Sequence, residues 1–189
     1  MLEIIAVSTG VVWLGEMGDK TQLIALLLAA RLRRPLPIVL GIFVATAVNH
    51  AGAAALGEWL TRVLDPVWLR WALGLSFISV AIWMLVPDKA DHELRTPVGR
   101  WGVFGVTELA FFLAEMGDKT QIATVMLAAR YHALVAVTLG TTLGIMLANV
   151  PAVLLGDKVV TWVPLAWVRG IAALVFAVLG VLVLLGMGS

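Results

Sequence analysis

A seven-residue segment that occurs twice is the feature that most constrains the fold of this chain. The sequence Glu-Met-Gly-Asp-Lys-Thr-Gln stands at 16–22 and again at 115–121, an offset of 99 residues. Most of these residues are charged, polar or Gly, so shared hydrophobicity does not explain the identity. The same offset pairs Leu-Ala-Ala-Arg at 28–31 with its copy at 127–130. We therefore divide the chain into two related halves, 1–87 and 100–189, joined by a linker at 88–99.

The composition predicts that both halves lie in a membrane. Of the 189 residues, 61% are hydrophobic and only 13% are charged, about half the usual charged share of a soluble domain. Stretches 36–57, 131–156 and 170–189 contain no Asp, Glu, Lys or Arg, and 67–86 contains only Arg70. Two more apolar stretches, 4–30 and 101–129, carry the motif charges near their middle. Each of the six can cross a hydrocarbon core of about 30 Å as a helix.

The number of spans in each half determines how the halves are related. Because three is odd, the second half must enter the membrane from the side opposite to the first. The predicted fold is therefore an all-α integral membrane protein with six transmembrane helices, arranged as two inverted three-helix repeats. Inverted repeats with charged, Gly-interrupted helices near the bilayer midplane are typical of secondary transporters.

Basic residues predict the orientation, because Lys and Arg are enriched in cytoplasmic loops. The loops after the first, third and fifth spans contain Arg31, Arg33, Arg34, Lys89, Arg95, Arg100, Lys158 and Arg169. The opposite side has only Arg62, Arg70 and Arg130. This distribution places the 88–99 linker in the cytoplasm and both termini outside.

Several functional classes are excluded by what the sequence lacks. With no Cys, thiolate metal sites, disulfides and cysteine nucleophiles are impossible. A net charge of +1 without a basic cluster argues against nucleic-acid binding. There is no His-Glu-x-x-His pattern and no nucleophile beside a base, so we expect neither an enzyme nor a prosthetic group.

Each motif predicts oxygen-bearing side chains on one helical face, because residues three apart share a face. These stripes consist of Glu16, Asp19 and Gln22 in the first half, and of Glu115, Asp118 and Gln121 in the second. Gly18 and Gly117 lie inside them. A Gly there permits either close helix approach or a local break that frees backbone carbonyls.

Carboxylates inside a bilayer are costly and need a partner. The four motif acids can pair with Lys20 and Lys119, or they can share a cation. Four acids less two lysines leave a formal charge of −2, which one divalent cation neutralises. Carboxylate and amide oxygens suit Ca²⁺, Mg²⁺ or Mn²⁺, and protons compete for the same groups. We therefore predict a metal site formed by Glu16, Asp19, Glu115 and Asp118, with Lys20 and Lys119 as charge partners. In the alternative, the ion pairs only hold the two halves together.

Other polar residues within the spans are candidates for lining a cation path or for hydrogen bonding between helices. The candidate cavity-lining residues are Gln22, Asn49, His50, Gln121 and Asn149. His50 would be a softer ligand and favours Mn²⁺ over Ca²⁺. Glu108 lies seven residues before Glu115 and is a candidate proton site, unless it only reaches the membrane interface.

The two copies of Glu-x-Gly-Asp-Lys-Thr, at 16–21 and 115–120, resemble the motifs of the GDT1 family. The human Golgi member of that family is transmembrane protein 165, and the resemblance extends over all six spans. It implies exchange of Mn²⁺ or Ca²⁺ for protons, with Glu16, Asp19, Glu115 and Asp118 forming the cation site. The sequence lacks the leader and long central loop of eukaryotic members, which favours a multi-pass protein of a prokaryotic cytoplasmic membrane.

The resulting hypothesis is a secondary transporter that exports Mn²⁺ in exchange for H⁺, as small bacterial members of that family do. Its expected partners are the divalent ion, protons and the lipid bilayer. The alternatives are a Ca²⁺/H⁺ antiporter, a passive cation channel and a membrane assembly subunit that transports nothing. The sequence does not predict an oligomeric state.

Overall fold

The computed structural model describes residues 1–86, 102–155 and 165–186, and these form an all-α membrane protein. The described helices are α1 (Leu2–Glu16), α2 (Lys20–Leu32), α3 (Pro35–Val63), α4 (Pro66–Met84), α5 (Gly102–Glu115), α6 (Lys119–Tyr131), α7 (Leu134–Leu155) and α8 (Leu165–Leu184). Four of these, α3, α4, α7 and α8, are long and apolar enough to cross a membrane. They coincide with four of the predicted spans. The 88–99 linker and Lys158 lie outside the described residues.

The two predicted spans that carry the motifs are each split into two helices. Glu16 ends α1 and Lys20 begins α2, while Glu115 ends α5 and Lys119 begins α6. The split helices are 13 to 15 residues long, or about 20 Å at about 1.5 Å per residue. None of them can cross a core of about 30 Å alone. The prediction that the oxygen-bearing side chains of each motif lie on one continuous helix was therefore wrong. Each motif instead contains the local break that the sequence left open.

Equivalent glycines make equivalent contacts between the halves. A Cβ atom on Gly41 in α3 would stand 2.9 Å from the Phe104 carbonyl oxygen of α5. A Cβ on Gly140 in α7 would stand 2.7 Å from the Ile5 carbonyl oxygen of α1. Gly41 and Gly140 are 99 positions apart, and so are Ile5 and Phe104. The packing of α1 on α7 is therefore equivalent to the packing of α5 on α3. The absent side chains let these backbones touch, as at other membrane helix interfaces.

Each pair of split helices follows one long helix of the other half. Along α3, Gly41 faces α5 near Phe104, and Gly57 faces α6 near Val125. Between them, Thr46 contacts Glu115 at the end of α5. The segment α5–α6 therefore runs beside α3 in the same direction and over much of its length. The first half repeats this, since both α1 and α2 pack on α7.

Polar side chains lie inside the bundle, and large apolar side chains face outward. Among the described residues, seventeen polar or charged side chains are buried, including all four motif acids. On α7, Leu139, Leu143 and Leu147 are exposed at helical spacing, whereas Asn149 is buried. This distribution is expected in lipid, where a polar group must find its partner within the protein. It places a polar interior around the two helix breaks.

We expect Gly140→Ala to destabilise the protein, because its methyl group would meet the backbone of α1. Overpacking of this kind costs about 1–3 kcal/mol. Gly10→Ala is the matched control, since a Cβ on Gly10 has nothing within 4 Å and Ala is the better helix former. Thermal unfolding in detergent measures both. Equal midpoints for the two variants would contradict the close α1–α7 contact.

Candidate metal centre

A tight turn built on Gly separates the two helices of each motif. Met17 has φ −65° and ψ 118°, and Gly18 has φ 77°. These angles match the central residues of a type II β-turn, in which the third residue needs positive φ and is usually Gly. The Asp19 N–H donates to the Glu16 carbonyl oxygen at 3.1 Å and closes the turn. The Glu and Asp of the motif are therefore the first and last residues of one turn.

The second motif forms the same kind of turn. Gly117 has φ 73°, and the Asp118 N–H donates to the Glu115 carbonyl oxygen at 3.1 Å. In both copies the Gln of the motif reaches back to the Gly. Gln22 Oε1 accepts from the Gly18 N–H at 2.9 Å, and Gln121 Oε1 accepts from the Gly117 N–H at 2.6 Å. Each Gln therefore stabilises the break between its two helices.

The two turns bring acids of both halves together. Carboxylate oxygens of Glu16, Asp19 and Asp118 all lie within 4.8 Å of one another, and all three side chains are buried. Asn149 Nδ2 and Thr21 Oγ1 both donate to Glu16 Oε1. Glu16 Oε2 is buried and has no hydrogen-bond partner within the part of the chain that the structure describes. One carboxylate oxygen of Glu16 is therefore available to a ligand.

Glu115 is buried near this group but has different partners. Its Oε1 accepts from Thr46 Oγ1 at 2.6 Å, and its Oε2 accepts from Asn49 Nδ2 at 3.4 Å. The structure thus places three of the four predicted ligands in one group and holds the fourth against α3.

The two lysines pair across the halves. Lys119 Nζ lies 3.4 Å from Asp19 Oδ1, and Lys20 Nζ lies 3.8 Å from Asp118 Oδ1. Each Lys therefore reaches the Asp of the other motif, and neither pair joins a Lys to a Glu. The pairs are unequal, because the Lys119 side chain is 3% exposed and the Lys20 side chain is 34% exposed. Lys119 also lies 5.6 Å from the ring centre of Trp83, within cation–π range.

The group offers hard oxygen donors in a buried site with excess negative charge. The two paired lysines balance only two of the three carboxylates, so the remaining negative charge favours a further cation or a proton at this group. Oxygen donors of this kind bind Ca²⁺, Mg²⁺ or Mn²⁺. The same oxygens take up protons, so a metal and protons can occupy the site alternately.

The other predicted polar residues lie in several places around this group. Asn49 and Gln121 line a cavity of about 390 Å³ between α3 and the α5–α6 segment. Gln22 Nε2 donates to the Ala148 carbonyl oxygen of α7. His50 is fully buried with Nδ1 2.9 Å from Thr124 Oγ1, and Glu108 is half-buried on α5. Neither His50 nor Glu108 belongs to the acid group that the described residues form.

Among the described residues, Thr46 and Trp83 also have side chains that contact charged motif residues, although the sequence did not mark them as candidates. Thr46 binds Glu115, and Trp83 faces Lys119 from α4. Thr46 stands three residues before Asn49, so the spacing of polar residues on α3 could have revealed it. Nothing in the sequence distinguishes Trp83 from the other tryptophans.

Comparison with known proteins gives a consistent result. The sequence model of the family described as "Divalent cation/proton antiporter GDT1" matches residues 4–92 and 103–189. A protein of Vibrio cholerae serotype O1, named "Putative manganese exporter", is 48% identical over 177 residues, which cover 93% of this chain and 88% of that protein. A GDT1-like protein of Synechocystis is 31% identical over 164 residues, 76% of this chain and 78% of that protein. No solved structure matches the chain.

Proposed function

Because the chain belongs to the GDT1 family of divalent cation/proton antiporters, we propose that it exports Mn²⁺ from the cytoplasm in exchange for protons. The observation that carries this proposal is the buried group of three carboxylates contributed by both motifs. The name of the 48% identical relative supports Mn²⁺ as the substrate. Ca²⁺ is the alternative, since the same oxygen donors suit it.

In this proposal Glu16, Asp19 and Asp118 bind the metal, and Glu115 completes the site. Four carboxylates and two lysines carry a formal charge of −2, which a divalent cation balances. When the cation leaves, protons take its place, because the two lysines balance only two of the four buried carboxylates and the remaining charge is costly inside a membrane. Lys20 and Lys119 compensate part of the charge and keep the two aspartates in position. The family is one of transporters and not of enzymes, which supports this proposal.

We further propose six membrane crossings in two inverted halves. In this topology α1 and α2 make one broken crossing, and α5 and α6 make another. The contacts of Gly41 with α5 and of Gly57 with α6 support this topology, because they show that the α5–α6 segment is parallel to α3. Only two residues separate α2 from α3, so α3 turns back against α1–α2. The two broken crossings then run in opposite directions, with both termini outside the cytoplasmic membrane.

Access to the site is proposed to alternate as one half rocks against the other. The turn of the second motif is the more exposed of the two turns, since Met116 is 59% exposed and Gln121 lines a cavity, although Lys119 is more buried than Lys20. The carboxylates themselves are buried. Rocking would close this opening and expose the first motif on the other side, as in other inverted-repeat transporters.

Proteoliposomes containing an Mn²⁺-quenched dye and a pH dye test the proposal. We expect external Mn²⁺ to enter while protons move out, and a preset proton gradient to drive Mn²⁺ against its concentration gradient. Parallel runs with Ca²⁺ rank the two metals. Metal entry without proton movement would instead indicate a passive channel. Absence of flux for both metals, with folded protein, would favour an assembly subunit.

A further inference from the structure

A second polar site lies at the membrane face where α3, α6 and α8 end and α4 begins. These four helix ends enclose a cavity of about 380 Å³, a volume typical of small-molecule sites. The cavity is separate from the acid group, and no motif residue lines it. It stands on observations independent of the proposed transport.

The charged lining of this cavity consists of cationic groups. Arg70 of α4 and Arg130 of α6 line it together with His132, and no carboxylate is among its described lining residues. The nearby acid Asp65 binds the Val67 N–H at the start of α4, at 2.9 Å. Two guanidinium groups without an opposing acid form a site for an anion, and Arg binds phosphate oxygens in bidentate geometry.

Arg130 has donors to offer such an anion. Its Nε and Nη1 atoms are buried and have no hydrogen-bond partner within the described ranges. The guanidinium lies 5.7 Å from the Tyr131 ring centre, which fixes its position without using those N–H groups. Arg130 lies in the last turn of α6, where the helix dipole favours a positive charge. The carbonyl oxygen of Ala128 in that turn accepts from the backbone N–H of His132. Buried donors without partners are rare and costly.

The rest of the cavity wall is apolar. Leu64, Leu69, Leu73 and Val183 line it, and Val67 at its rim is exposed. An apolar wall that ends in arginines at a membrane face matches the two chemical parts of a phospholipid. We propose that this cavity binds one anionic phospholipid, with its phosphate on Arg130 and Arg70 and an acyl chain along the leucines. Basic pockets between membrane helices bind such headgroups in other proteins.

The test titrates the purified full chain in detergent with dioleoylphosphatidylglycerol or dioleoylphosphatidylcholine and counts bound lipids by native mass spectrometry. We expect phosphatidylglycerol to bind about tenfold more tightly, because both lipids carry the phosphate but only phosphatidylcholine adds a choline cation, which the two arginines repel. Arg130→Gln should remove this preference. Arg62→Gln is the control, because Arg62 is 72% exposed near the same face and pairs with Glu58.

Three results would overturn the proposal: equal affinity for both lipids, a preference that persists in Arg130→Gln, or complete displacement of the lipid by equimolar inorganic phosphate. The last would indicate a site for a soluble anion. If Arg130→Gln does not fold, Val67→Trp tests the same cavity, since it blocks the apolar rim and keeps both arginines. Val67→Trp should then weaken binding of the anionic lipid by about tenfold, and unchanged binding would refute the site.

Discussion

Glu16→Gln is expected to abolish Mn²⁺ transport, with no proton movement on addition of the metal. Gln keeps the size of the side chain and an oxygen acceptor but removes the charge at the centre of the three-carboxylate group. The attraction between a carboxylate and a unit positive charge about 4 Å away is about 4 kcal/mol at an effective dielectric constant of about 20, so losing one carboxylate should reduce metal affinity by more than about a hundredfold. Mn²⁺ flux into proteoliposomes and calorimetric Mn²⁺ binding measure the two effects.

Two further variants make this result specific. Glu58→Gln removes a carboxylate of α3 that pairs with exposed Arg62, and it should transport Mn²⁺ normally. Glu115→Gln should also stop transport but weaken binding less, because the Glu115 oxygens accept from Thr46 and Asn49. Normal flux in Glu16→Gln would refute the proposed site. Equal losses of affinity in Glu16→Gln and Glu115→Gln would instead show that all four acids bind the metal together.

Lys119→Met is expected to destabilise the fold by about 3–5 kcal/mol. It removes the cation that lies 3.4 Å from Asp19 and leaves a buried carboxylate without that partner. It also removes the charge above the Trp83 ring. Unfolding of the purified protein in mixed detergent micelles, followed by Trp fluorescence, gives the free energy of unfolding.

The repeat supplies the matched control for this variant. Lys20→Met changes the equivalent residue, whose side chain is one-third exposed and 3.8 Å from Asp118. The longer distance and the partial exposure of Lys20 weaken this pair, so we expect a smaller loss of stability than in Lys119→Met. The double variant Lys119→Met/Asp19→Asn should recover part of the stability, since it removes both charges. Equal losses in the two Lys variants would show that the two halves are energetically alike.

Much of the fold could be predicted because long apolar stretches have few alternatives. The spans 36–57 and 131–156 became α3 and α7 with ends shifted by a few residues, and Pro35 explains where α3 begins. The helix breaks were harder to predict. Gly18 is compatible with a continuous helix in which it permits close packing, and only the backbone geometry shows that it forms a type II turn.

The site was predictable in its residue types but not in its pairings. The sequence predicts that the motif acids can pair with Lys20 and Lys119, but it does not specify which acid meets which lysine. In the structure, Asp19 meets Lys119 and Asp118 meets Lys20, because the two turns face each other across the bundle. Contacts such as Thr46 with Glu115 depend on the register of α3 against α5. A single sequence does not specify that register.

The unequal exposure of Lys119 and Lys20 has a consequence for the populations of the two access states. If the halves were identical in sequence, rocking would convert the molecule into its own copy with the halves exchanged, and both states would be equally populated. The bias must then come from positions where the halves differ, such as Thr46 against Ile145, His50 against Asn149, and Glu108 against Thr9. Each difference of about 1.4 kcal/mol at such a position shifts the ratio of the two states by about tenfold. In the proposed rocking mechanism, the residues that would set the resting orientation therefore lie largely outside the two motifs.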